Sequence, residues 1–207
     1  MGTKLLALTV VCTALLLGAS SAEAAKRKAT PSCAKKGSKT VLRAPGVRVF
    51  TVPGRGDVQD RLYGCLAADG RKQLLTESAD DNYVSSSGFD DVRLAGRHVA
   101  WHSSATDVSC KADCPPGYNA TSQSVIAYDL KRRRMARRSI VTSYTGSSLA
   151  LTQRGGLAWL SGTQLLAADS AGTRVLDTGT IAPSSIQAEI SIVSWVRDGI
   201  ERFARLR

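Results

Sequence analysis

Leu157-Ala158-Trp159 and, a few residues on, Leu166-Ala167-Ala168-Asp169 are two short apolar blocks, the first ending on an aromatic residue and the second on an acid. The same pair recurs upstream. Val99-Ala100-Trp101 is followed by Ile126-Ala127-Tyr128-Asp129, and Val47-Arg48-Val49-Phe50 by Leu66-Ala67-Ala68-Asp69. A fourth copy, Val193-Ser194-Trp195, leads to Arg202-Phe203-Ala204-Arg205, where Arg205 stands in the place of the acid. From aromatic to closing residue the separations are 19, 28, 10 and 10 residues. Two blocks that keep their order while only the spacer changes length describe one repeated unit with loops of unequal size.

Both blocks read as strands. Val99 with Trp101, and Leu157 with Trp159, alternate with period two, and turn formers bound the blocks at Ala95-Gly96, Gly155-Gly156 and Asp69-Gly70. An aliphatic residue precedes each aromatic by seven to nine positions (Leu42, Leu94, Leu151, Ile186), and a short run follows each acid, as at Gln73-Leu74-Leu75 and Arg174-Val175-Leu176. One unit is therefore four strands, and nothing after the leader sustains a helical period. The units cover about 39–76, 91–142, 147–178 and 185–207, the last ending after its third strand. Repeated four-stranded antiparallel units predict an all-β chain, with 39–207 as a single, small, four-bladed β-propeller-like domain. The alternative is an open curved sheet or a β-sandwich of the same hairpins. In a closed ring, residues around Cys33 to Thr40 are expected to supply the missing strand of the last unit.

The stretch from Leu94-Ala95-Gly96-Arg97-His98-Val99-Ala100-Trp101 through Val125-Ile126-Ala127-Tyr128-Asp129-Leu130 to Arg134 resembles the propeller-like repeats of secreted proteins of actinobacterial type. More remotely it resembles the propeller repeats of the Tol-Pal system. The resemblance implies a fold and carries over no functional residue, and Phe50 for Trp and Arg205 for Asp depart from its regularity.

The N-terminal 24 residues have a secretory layout: Lys4, an apolar run from Leu5 to Leu17, then Ala22-Glu23-Ala24, with cleavage expected after Ala24. Residues 25–38 form a basic arm. No later stretch is apolar enough to cross a bilayer as a helix, so no transmembrane segment is expected in the mature chain. Export places the protein outside the cell or at the cell envelope. Cys12 leaves with the leader, and Cys33, Cys65, Cys110 and Cys114 remain, an even number suited to disulfides. The expected pairs are Cys33 with Cys65 and Cys110 with Cys114. A zinc site at the close pair would need more ligands, and the two histidines, His98 and His102, share one strand segment.

The chain carries 28 Lys and Arg against 17 Asp and Glu, a formal charge of +11. The excess gathers at Lys26-Arg27-Lys28, at Lys35, Lys36 and Lys39, and at Lys131-Arg132-Arg133-Arg134 with Arg137 and Arg138. Such clusters attract anionic polymers; for an exported chain that means envelope polymer, or another protein, rather than nucleic acid. Phe50, Trp101, Trp159 and Trp195 read as repeat core. Asp69, Asp129 and Asp169 read as turn-capping residues, because one active site does not need three equivalent acids. No catalytic constellation, metal site or cofactor fingerprint stands out. Asp80, Asp81, Asp90 and Asp91 flank a serine-rich loop without calcium-loop spacing. Arg55-Gly56-Asp57 is a three-letter match that arises by chance, and the sequon Asn119-Ala120-Thr121 matters only in a host with glycosylation machinery. The long segments, Val52 to Arg61, Glu77 to Asp90 and His102 to Gln123, are expected at one acidic end, opposite the Lys131 to Arg138 cluster. The function expected is an exported binding or interaction module of unknown ligand and oligomeric state. The alternatives are a secreted propeller-type hydrolase or lyase, and a structural or assembly protein.

Overall fold

The computed structural model describes residues 32–81, 85–107 and 121–207. The leader with its cleavage point after Ala24, the start of the arm, the Cys110 and Cys114 pair and Asn119 lie outside these residues.

The described chain is all-β and antiparallel, with one 3-10 turn at Pro183–Ser185. Eight strands run as a meander in a single sheet, each paired with its neighbour in sequence. They are β1 (Lys39–Ala44), β2 (Val47–Pro53), β3 (Val58–Leu66), β4 (Lys72–Asp80), β5 (Ser85–Ala95), β6 (His98–Asp107), β7 (Thr121–Asp129) and β8 (Arg134–Val141). A four-stranded sheet follows, β9 (Ala150–Leu151), β10 (Leu157–Ser161), β11 (Gln164–Asp169) and β12 (Gly172–Thr178), then a three-stranded one, β13 (Gln187–Ala188), β14 (Ile192–Arg197) and β15 (Ile200–Arg205). Gly46 and Gly96, at φ +73° and +56°, turn the chain between β1 and β2 and between β5 and β6, where a side chain would be strained.

The segments expected to be long loops are mostly strand. β4 runs to Asp80 and β5 starts at Ser85, so the serine-rich stretch is ladder, and Asp90 and Asp91 lie within β5. β2 and β3 pair out to Pro53 and Asp60, and β6 and β7 out to Thr106 and Thr121. Serine and threonine alternate without an apolar face here, so the sequence pattern is silent while the backbone ladder continues. Among the described residues the β4–β5 ladder pairs Ala79 with Ser87 and Asp80 with Ser86 next to the turn, which makes the large sheet two groups of four strands joined at one end.

Packing follows the repeat. Val99 and Trp101 of the second group fill the seam against Val47, Val49 and Leu62 of the first. Leu157 and Trp159 do the same against Ala100, Val125 and Ala127, and Val193 and Trp195 against Ala158, Leu160 and Leu165. Each tryptophan is buried and seals its group to the preceding one. Gly64 serves the first seam: a Cβ there would sit 2.4 Å from Leu130 Cδ2. The first strands β1, β5, β9 and β13 lie against one another in succession.

Among the described residues no comparable contact joins β13 back to β1, so the expected closed ring is not seen. Nor does the arm add a strand to the last group. It packs on β2 and β3, where no earlier group covers Phe50. Cys33 is bonded to Cys65, the Arg48 guanidinium donates to the Cys33 carbonyl and the Ser38 hydroxyl, and Lys35 Nζ lies 3.9 Å over the Tyr63 ring. Phe50 is buried beneath Arg48 and stacks on Tyr63. A covalent bond to β3 holds the arm at the first group, away from the edge it was expected to complete.

Candidate functional site

A cleft of about 570 Å³ opens where the first strands of the second, third and fourth groups converge. Its walls are Arg93 and Leu94 of β5, Leu149 to Leu151 around β9, Gln187 and Ala188 of β13, and Ser147 and Ser184 from the connectors. Arg93 is its one charged residue, with a side chain 41% exposed.

Arg93 is placed by a bulge. The register of β5 on β6 shifts between Asp90 and Arg93, and Asp91 takes φ +46° there. A non-glycine residue in that region is strained, and the strain is held by a dense polar cluster. The buried Asp91 carboxylate accepts from Tyr144 Oη and from the Leu149 N–H and pairs with Arg93, whose Nε donates to the Leu149 carbonyl at 2.7 Å. Burial, then the bond to Asp91 and its charge, push the Tyr144 hydroxyl far above its ordinary range, so it stays protonated and donates. The Tyr144 ring stacks on His102 at 3.9 Å between centroids. His102 Nδ1 meets Asp90 Oδ1 at 2.9 Å. A carboxylate only accepts, so Nδ1 carries the proton. His102 Nε2 is buried without a hydrogen-bond partner among the described residues.

The repeated acids sit apart from this cleft, at the turns after β3, β7 and β11. In each, Oδ1 accepts from the backbone N–H two residues on: Asp69 from Arg71, Asp129 from Lys131, Asp169 from Ala171. Each also holds an arginine. Arg133 reaches back to Asp69, Arg97 Nε bonds both oxygens of Asp129, and Arg174 grips Asp169 through two parallel bonds of 2.9 Å. Those bonds hold the Asp169 carboxyl far below the usual range against the opposing effect of burial, helped by the Arg207 and Ala171 N–H groups. Burial pulls Asp129 toward its neutral form, but the Arg132 N–H and the charges of His98 and Arg97 outweigh it and hold it low. Beside it His98, bonded through Nδ1 to the Gln153 carbonyl, is pushed below its ordinary value by burial, which outweighs the pull of Asp129.

The three repeat tryptophans lie in the seams and Phe50 lies under the arm, none of them in the cleft. Trp195 Nε1 donates to Asp177 Oδ2 at 2.8 Å, while Trp101 Nε1 and Trp159 Nε1 are buried without partners. Among the described residues no group of three or more metal-ligating side chains converges. Strand direction sets the two ends of the large sheet: Asp57, Asp80, Ser85, Asp107 and Thr121 lie at one, and the Lys131 to Arg133 turn at the other. The sequence flagged Asp90, Asp91 and His102 but missed Arg93 and Tyr144, whose meeting depends on the bulge and on the connector after β8. Its one sequence signal was the Asp90-Asp91 pair inside an otherwise strand-forming run.

No protein-family model matches the chain, and no curated protein matches it. Among solved structures, the chain is similar to one from a structural and mechanistic analysis of two prolyl endopeptidases, at 13% identity and a TM-score of 0.45. The match covers 86% of this chain, which spans 30% of that protein's length.

Proposed function

We propose that the chain is an exported binding module that takes an anionic group of an envelope polymer in the cleft between its first strands. The observation that carries this reading is the cleft itself, walled by the convergent strands β5, β9 and β13, with the Arg93 guanidinium as its charged group. Asp91 and the Leu149 carbonyl orient that guanidinium without enclosing it, which suits the planar recognition of a carboxylate or phosphate. In this reading the four strand groups are blades of a small propeller-like array around the cleft, akin to the repeats of secreted proteins that the sequence resembles. The Cys33–Cys65 bond supports an oxidising compartment. The exposed cations of Lys131, Arg134 and Arg138 supply long-range attraction to the polymer.

The test is calorimetric titration of the secreted chain with isolated anionic wall polymer and with a neutral glycan. Arg93→Gln should weaken polymer binding about 10-fold or more, the usual scale for a charge-assisted hydrogen bond. Ser184→Trp, which fills the cleft from an exposed position, should abolish it with melting behaviour unchanged. Equal binding of the neutral glycan, or full binding by both variants, overturns the reading.

A further inference from the structure

We propose that β15 is a self-complementary edge through which two copies of the chain join as an antiparallel, two-fold dimer. Among the described residues the last group has three strands where each earlier one has four, and β15 pairs with β14 alone. The Leu206 N–H donates to the Ser191 carbonyl, and the register Val193 with Ala204 and Trp195 with Arg202 continues that pairing. In an antiparallel ladder such pairs alternate, so Arg202 and Ala204 turn their backbone groups to β14 while Glu201, Phe203 and Arg205 turn theirs outward. An outward row of this kind is a template for another strand.

The side chains restrict which strand fits. Alternation puts Arg202 and Ala204 toward the third group and Glu201, Phe203 and Arg205 on the opposite face. Phe203 is 75% exposed, the most exposed aromatic among the described residues, and Ile192 and Val196 of β14 stand uncovered diagonally beside it. Glu201 lies two residues before Phe203 and Arg205 two after. Charges on an edge ordinarily repel intruding strands. Here they are antisymmetric about the phenylalanine. A second β15 laid antiparallel with Phe203 on the two-fold axis sets Glu201 of each copy opposite Arg205 of the other. It also sets Phe203 against Phe203 and joins the outward backbone groups. A parallel, in-register approach sets Glu201 against Glu201 and Arg205 against Arg205, which costs rather than gains. The arrangement is an isologous contact that completes each three-stranded sheet with its counterpart.

Sedimentation of the secreted, disulfide-bonded chain tests this. A monomer–dimer equilibrium that weakens with added salt is expected. Glu201→Arg or Arg205→Glu alone replaces two attractive pairs per dimer by two repulsive ones and should raise the dimer Kd about 10-fold. The double variant Glu201→Arg with Arg205→Glu restores opposite charges and should return the Kd to that of the parent. Phe203→Lys should leave only monomer. All three substituted positions are exposed, so tryptophan fluorescence and melting report that the fold is kept. A chain that stays monomeric at every concentration overturns the proposal. A dimer indifferent to the single changes overturns it too, as does a double variant no better than the singles.

Discussion

Trp195 and Trp159 occupy the same place in the repeat and differ in one bond. Trp195 Nε1 donates to Asp177, which also holds Arg197, whereas Trp159 Nε1 is buried with no acceptor. Truncation of either to alanine opens a seam and should cost about 3–5 kcal/mol. Replacement by phenylalanine separates them. Trp195→Phe strips a donor from a buried carboxylate and should cost about 1–3 kcal/mol more than Trp159→Phe, which removes an orphaned N–H. Paired urea titrations of the two variants check the order. The buried acids and histidine give stability a pH profile. Asp169 folds with its carboxyl held far below the ordinary 3.8, so its contribution is present above that value and lost as pH falls through the lowered one. His98 folds with its value below the ordinary 6.5, so the native state resists protonation that the unfolded chain accepts, and stability falls as pH drops below 6.5. Acid unfolding should therefore start just below neutrality. His98→Asn, which keeps a donor for the Gln153 carbonyl, should remove the early part of the loss, and Asp169→Asn the late part. Melting temperatures across the acid range check both.

At the scale of elements, the arm, β2 and β3 make one unit. The Cys33–Cys65 bond closes a sequence separation of 32, and in the loop-entropy model opening it should cost about 3–4 kcal/mol. Cys33→Ser should show that loss in denaturant titration, and the release of Lys35 and Ser38 from Tyr63 and Arg48 should expose Phe50 to solvent. How far the sequence foretold these elements follows from what holds each. The blocks ending at Trp101 and Trp159 are strands whose apolar faces are buried, so composition marked them. The distal parts of β5, β6 and β7 are held by backbone pairing and polar contacts such as Thr106 Oγ1 with Thr121 Oγ1 at 3.3 Å, and composition read them as loop. The cleft was invisible for a similar reason. Arg93 reaches it through a register shift, and a register shift leaves no trace in hydrophobic period.

On the scale of the whole molecule, charge divides by end and not all of the basic cluster is free. Arg133 is tied to Asp69, and Arg132 lies 3.8 Å from Asp129, while Lys131, Arg134 and Arg138 are exposed. Changing Lys131, Arg134 and Arg138 to glutamine should flatten the dependence of polymer affinity on salt while leaving the choice of polymer unchanged, which a salt series of titrations checks. The order of the strands bears also on how the chain reaches its native state. Every ladder from β1 to β15 joins neighbours in sequence, and each seam joins a group to the one just made. The contacts that form first are therefore short in sequence, which favours rapid acquisition of structure. A chain leaving a pore with its N-terminus first can close each hairpin as it emerges, sealing Phe50 under the arm once Cys65 is out. Leu206 and Arg207 act as a latch: they return to Ser191, Asp169 and Ser170, and these bonds can form only after both the third and the fourth group have emerged.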